Sequence, residues 1–245
     1  MQPIDVERDL LAGVYTDEKG GKLPYRYFVP LGMEKDRKVP LLLFLHGAGE
    51  RGDDNRAQLK HVVRSLFADP ASPVYSGLVL IPQCAEGDTW VNNGLLKGAY
   101  RSGPESEPLK KPSLNRAMAV LGDFMSRYPV DPARVYVMGI SMGGHGTWHL
   151  LGHNPELFAA GVPICGSGDM TVAPVVAKKP VHAFHSSDDP AVPVSGSRDM
   201  VQAVLDAGGK TMRYTEYNYA GHGCWEIAVN SWGLLDWLYA QRLDG

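Results

Sequence analysis

A chain of 245 residues is long enough for one large α/β domain with a substantial core. Its 44% hydrophobic and 21% charged content is ordinary for a globular protein, and a net charge of −3 gives no electrostatic reason to bind nucleic acid. No Lys/Arg run marks a membrane surface, and no apolar stretch reaches the ~18–20 residues needed to span a bilayer. Met1-Gln2-Pro3-Ile4-Asp5 lacks the basic-then-apolar pattern of a signal peptide, although a trimmed leader would leave a secreted or periplasmic origin open. Cys84, Cys165 and Cys224 are too few for a disulfide scaffold and have no metal-ligand spacing; one bridge would be feasible, but buried free thiols are the expectation.

In chain order, residues 11–16 and 23–29 read as an antiparallel pair of strands joined at Lys19-Gly20-Gly21. Leu23, Tyr25, Tyr27 and Val29 alternate with Pro24, Arg26 and Phe28, which predicts one well-buried face. Pro24 argues against an interior sheet position near that strand's start. Pro40 to Leu45 is a continuous apolar run, as in a strand covered on both faces, and it ends in the glycine-rich His46-Gly47-Ala48-Gly49-Glu50-Arg51-Gly52. Such a loop can aim backbone N–H groups into a site; phosphate binding is the rival reading, but no Gly-Lys-Ser/Thr follows. Gln58 to Ala68 reads as a helix burying Leu59, Val62, Val63, Leu66 and Phe67.

Leu78 to Ile81 is a further buried strand, and residues 84–112 read as a long loop of a kind that is usually functional or mobile. Ser113 is a candidate N-cap for a helix through Tyr128 with Leu114, Ala117, Met118, Leu121 and Met125 inward. Strands follow over 135–140, 158–164, 180–184 and 211–217, with helices from His145, from Ser195 or Ser197 to Gly208-Gly209, and over 225–243. Strands alternating with helices from residue 41 onward imply one domain over 1–245, built on a mostly parallel sheet with helices on both faces.

The motif that organises this pattern is Val135-Tyr136-Val137-Met138-Gly139-Ile140-Ser141-Met142-Gly143-Gly144. A strand running into Gly-x-Ser-x-Gly and then a helix is the setting of a nucleophile elbow, which stands the hydroxyl clear of the sheet at a helix N-terminus. A serine needs a base, and the base needs a group to orient it. Side chains converge at the carboxyl ends of parallel strands, which selects His222 after the last strand and the Asp188-Asp189 pair after the preceding one. Either aspartate can supply that group, and a turn-capping role is open to both; the preference for Asp189 over Asp188 draws in part on the family resemblance given below. His145, His149 and His153 share one helix face at a spacing that can hold zinc, but no acidic residue lies between them and the helix must pack on the sheet. Packing histidines are the default reading, with no metal and no cofactor expected.

With these residues in place the chain resembles the serine esterases of the α/β-hydrolase superfamily over nearly its full length, within the phospholipase/carboxylesterase-like "predicted peptidase" group near the feruloyl and acetyl xylan esterases. The resemblance rests on His46 to Gly52 with Asp54-Asn55, Pro82-Gln83-Cys84, Gly139 to Gly144, Val162-Pro163-Ile164-Cys165-Gly166, His185-x-x-x-Asp189-Pro190 and Gly221-His222-x-x-Trp225. It implies an α/β-hydrolase fold with Ser141 as nucleophile, His222 as base and Asp189 as acid. It also implies oxyanion donors on the backbone N–H of Met142 and Ala48, with Gly47 or Gly49 as alternatives to the latter, and His46 as a support for that loop. The chain departs from the family at Ser186-Ser187-Asp188-Asp189, where relatives often carry Gly-x-x-Asp, and at Gly223-Cys224, where many have an acidic or polar residue. Only 47 residues lie between Ser141 and Asp189, too few for a large cap. An open site suits short-chain or carbohydrate-linked acetyl and feruloyl esters, small-molecule or polymeric, with Trp90, Tyr100 and Trp225 as candidate ring-stacking surfaces. Packing of the same aromatics against the long loop is the alternative. A peptidase of the same fold and a non-catalytic binding module are the rival functions.

Overall fold

The computed structural model describes residues 4–91 and 112–243. The strands are β1 (Leu11–Thr16), β2 (Lys22–Phe28), β3 (Val39–Leu45), β4 (Leu78–Pro82), β5 (Val130–Ile140), β6 (Ala160–Ile164), β7 (Val181–Ser186) and β8 (Met212–Tyr217), and they form one sheet in the order β1-β2-β4-β3-β5-β6-β7-β8. The β1–β2 and β2–β4 pairs are antiparallel; every later pair is parallel. The helices are α1 (Val6–Asp9), α2 (Val62–Leu66), α3 (Pro112–Arg127), α4 (Met142–His153), α5 (Ala173–Val176), α6 (Ser195–Asp206), α7 (Trp225–Val229) and α8 (Leu234–Tyr239).

Every residue of β3 and β4 is buried, as their unbroken apolar runs require. Strand alternation divides these residues between two cores. Leu41, Leu43, Leu45, Leu78, Leu80, Val135 and Val137 pack with side chains of α3, α4 and α6. Leu42, Phe44, Val79, Ile81, Tyr136 and Met138 pack with those of α2, α7 and α8. At roughly 25 cal/mol per Å² of apolar surface removed from water, this two-sided burial is the main term holding the sheet.

The structure corrects five sequence-level expectations. β2 is an interior strand despite Pro24. The Pro24 carbonyl accepts from the Gln83 N–H at 2.8 Å, so its missing donor faces β4 just past the last β2–β4 pair, Tyr25 with Pro82, where the ladder does not need it. Nor is the opposite face of β2 exposed: Phe28 joins the second core, and the Arg26 guanidinium donates to the carbonyls of Glu7 and Leu10 at 2.6 and 2.9 Å. The helix expected over 58–68 is split into a 3-10 turn, Ala57–Leu59, and α2, at His61 (φ 54°); the expected apolar face is still buried. The closing helix over 225–243 is likewise two pieces, divided before Gly233 (φ 78°), a left-handed position that glycine takes without strain. Ser113 lies inside α3 rather than capping it; its Oγ accepts from the Ala85 N–H and its own N–H donates to Asp88, tying down the start of the long loop.

At the turn from β5 into α4 the chain crosses itself at main-chain contact. A Cβ on Gly139 would lie 2.2 Å from the Gly143 carbonyl oxygen, and one on Gly143 would lie 1.9 Å from that of Leu45. Both obstacles are main-chain atoms, one in the first turn of α4 and one at the end of β3, and cannot swing aside. Gly143→Ala is therefore expected to destabilise the fold by about 3 kcal/mol or more, the upper range for overpacking, read as a lowered urea-unfolding midpoint. An unchanged midpoint would mean that this crossing is looser than described.

Candidate active site

Ser141 links β5 to α4 with φ 51° and ψ −114°, a conformation rare for a residue with a side chain. Its N–H donates to the Ile164 carbonyl at 2.8 Å, and its carbonyl accepts from His145 N–H, so the strained residue is held on both sides. The Oγ lies 2.9 Å from His222 Nε2, and His222 Nδ1 lies 2.7 Å from Asp189 Oδ2. With Asp189 ionised, Nδ1–H donates to the carboxylate, which leaves Nε2 as the acceptor facing the serine hydroxyl.

Asp189 follows β7 and its side chain is fully buried, whereas that of His222 keeps 25% exposure. Burial alone would push the Asp189 carboxyl up. Hydrogen bonds from His185, His222 and the N–H groups of Val192 and Ala191 outweigh it and hold the group well below the usual carboxylate range. Asp188 points elsewhere: it accepts from Ser186 Oγ at 2.5 Å and Gly221 N–H at 3.0 Å, and so shapes the loop that presents His222. The sequence reading missed His185 as a second neighbour of Asp189. Its Nε2 lies 3.2 Å from Asp189 Oδ2 and 3.0 Å from the Val192 carbonyl, while Nδ1 meets Ser197 Oγ at 2.7 Å. The i, i+4 spacing of His185 and Asp189 held the signal, but only the turn after β7 brings the two together.

Met142 is the first residue of α4, so its N–H has no acceptor within the helix and lies at the positive end of the helix dipole. Across from it, Gly47 packs against Ser141, and an added Cβ there would lie 3.6 Å from that of the serine. Ala48 follows this contact, opens a 3-10 turn, Ala48–Glu50, and is exposed. Three groups fix this loop. His46 Nε2 accepts from the Cys84 N–H at 2.9 Å, which places the ring proton on Nδ1, donating to the Gly47 carbonyl at 2.6 Å. Trp90 Nε1 donates to the His46 carbonyl at 2.9 Å, and its ring meets the imidazole edge-on. Gln83 donates to Glu50 O and Asp54 and accepts from Asn55 N–H, clamping residues 50–55 to the end of β4.

Trp90 is thus a correction to the expected ring-stacking surface: it is fully buried and braces the loop after β3. Trp225 is partly exposed and stands edge-on between the rings of His222 and His61, at 5.1 and 5.6 Å between centroids. Tyr100 lies outside the described residues. The three histidines of α4 turn to separate partners. His145 Nδ1 accepts from Ser167 N–H, His153 Nδ1 bonds the His149 carbonyl, and the His149 and His153 rings stack.

An eight-stranded, mostly parallel sheet with an antiparallel start, a strained serine at the central strand-to-helix turn and convergent loops from β3, β7 and β8 define the α/β-hydrolase fold. The prolyl oligopeptidase family model matches residues 106–175, under a third of the chain. A solved thermostable esterase superposes with a TM-score of 0.85 at 36% identity, covering 97% of this chain and 64% of its own. A solved ferulic acid esterase superposes with a TM-score of 0.67 at 17% identity, covering 94% of this chain and 97% of its own. An uncharacterized secreted protein of Arthroderma benhamiae is 26% identical over 136 residues, 54% of this chain and 13% of that protein. The chain therefore spans just under two thirds of the thermostable esterase and a small part of the fungal protein. No helix among the described residues is long and apolar enough to cross a membrane.

Burial pushes the imidazoles of His46 and His145 down to about 4 from an ordinary 6.5. Both are neutral in the folded chain at pH 7, and as pH falls below 6.5 the unfolded chain takes up their protons first. The contribution of these two histidines to stability is then expected to decline between pH 6.5 and about 4, by roughly 3 kcal/mol per histidine at most, and to level off below. Urea midpoints across that range should fall less steeply for His145→Gln, whose amide cannot charge; parallel slopes would count against the assignment.

Proposed function

We propose that the chain is a serine carboxylic-ester hydrolase that works through an acyl-enzyme on Ser141. The observation that carries the reading is the continuous relay from Ser141 Oγ to His222 to the buried Asp189, at 2.9 and 2.7 Å, set on a strained strand-to-helix turn. In this reading Ser141 Oγ attacks the ester carbonyl carbon while its proton passes to His222 Nε2. The N–H groups of Met142 and Ala48 receive the charge that develops on the carbonyl oxygen. His222 then delivers the proton to the departing alkoxide, and the alcohol leaves. Water, deprotonated by the same nitrogen, releases the acid and restores the serine. Asp189 holds the productive tautomer and stabilises the imidazolium.

For substrate class we favour short-chain acyl esters and acetyl or feruloyl esters on carbohydrate. Support comes from the partly exposed Trp225 ring beside His222 and from the likeness to a ferulic acid esterase. Between Ser141 and Asp189 the chain is occupied by α4, β6, α5 and β7, consistent with an uncapped site. A serine peptidase is the second reading, favoured by the prolyl oligopeptidase match over 106–175.

Hydrolysis of p-nitrophenyl acetate and octanoate, methyl ferulate, acetylated xylan and a peptidyl nitroanilide tests both. Ester cleavage is expected to lead, and Ser141→Ala to lower it by about 10³-fold or more. Nitroanilide cleavage at comparable rates would favour the peptidase. No turnover, with no labelling of Ser141 by a fluorophosphonate, would leave a binding module. Ala48→Pro removes one proposed oxyanion donor where the backbone suits proline: Gly47 is extended (ψ −179°) and residue 48 is the first of its turn. Its kcat is expected to drop about 10²–10³-fold with KM little changed. A rate within threefold of the parent would move the donor to Gly47 or Gly49.

A further inference from the structure

Among the described residues, Cys165 and Cys224 are a pair of thiols beneath the site that the proposed reaction leaves unused. Cys165 follows β6 with φ 50°, its N–H bonded to the Phe184 carbonyl. Cys224 comes two residues after His222 and caps α7. Both are fully buried, and their Sγ atoms lie 2.9 Å apart. That is inside the ~3.5–4.0 Å preferred even by smaller non-bonded carbon atoms, and a small side-chain rotation reaches the ~2.05 Å of a bond. Cys165 Sγ also donates to the carbonyl of His222 at 3.3 Å, so the pair lies directly under the residue that faces Ser141.

We propose that Cys165 and Cys224 form a disulfide that fastens the loop carrying His222 to the end of β6. The two thiols give up two protons and two electrons as the Sγ–Sγ bond forms. A low-mass disulfide such as oxidised glutathione takes them, its own S–S bond breaking to two thiols. The contact with Cys224, followed by burial, pushes the Cys165 thiol far above its ordinary range. A folded-state thiolate is therefore scarce, and the bond forms while the chain is folding, in an oxidising compartment. Once made, it closes a loop between positions 59 residues apart and replaces the weak Sγ–H bond under His222 with a covalent tie.

The test compares the full chain exported to an oxidising compartment with the same chain made in a reducing cytosol. Each is denatured and alkylated with iodoacetamide. The exported protein is expected to take two fewer labels, and a non-reducing digest to contain Cys165 joined to Cys224. Its thermal midpoint should be higher by roughly 5–15 °C, the shift implied by closing a loop of this size in a domain of this length. Equal label counts, a bridge that includes Cys84, or a bridge that leaves the midpoint unmoved would each overturn the proposal. None of these readings depends on ester cleavage, so failure here and failure of the esterase reading are distinguishable.

Discussion

The rest of the site depends on one main-chain crossing. Gly143 lies against the carbonyl of Leu45, and Gly139 against that of Gly143, with no room for a side chain at either position. That closeness lets Ser141 hold φ 51° and brings the start of α4 beside the loop after β3. A residue in such a conformation costs about 1–3 kcal/mol, and it persists because the buried strands around it over-determine the backbone. β3 and β5 therefore do more than fill the core: their register sets how the loop after β3 lies against the turn that carries Ser141.

Electrostatics complete what the backbone begins. A fully buried carboxylate is tolerable only if its charge is shared, and Asp189 shares it among two imidazoles and two main-chain N–H groups. His185 is one of those imidazoles, and Ser197 on α6 holds its other nitrogen. The acid is thus fixed by β7, α6 and the turn between them, so the direction of His222 is set from behind. On the other side, neutral His46, Trp90 and Gln83 brace the loop of Ala48 by hydrogen bonds, in the manner of outer groups that orient an inner set.

Much of this was legible in residues alone. Unbroken apolar runs identify β3 and β4, the Gly-x-Ser-x-Gly context identifies the elbow, and the order Ser141, Asp189, His222 matches strand ends that converge. The misreadings share a cause: local pattern does not report what a side chain meets across the fold. Pro24 reads as an edge signal because its donor is missing, but nothing local shows that the ladder has already ended there. The helical periodicity of 58–68 is real as burial, yet the chain bends at His61, whose side chain lies between Glu50, Glu226 and Trp225. Trp90 in the long 84–112 loop reads equally as a stacking surface or as packing, and only the fold shows that its indole N–H donates to the buried His46 carbonyl.

The relay joins distant parts of the chain: 81 residues separate Ser141 from His222, and 33 separate His222 from Asp189. His222 enters only after β8, the edge strand laid against β7. Until that edge is in place, the Ser141 hydroxyl lacks its contact with His222. Contacts of such long sequence separation form late, because the chain must first lose the entropy of closing the intervening loops. Reactivity in this design is therefore a property of the finished sheet, and a partly folded or newly made chain carries every proposed catalytic side chain while remaining chemically silent.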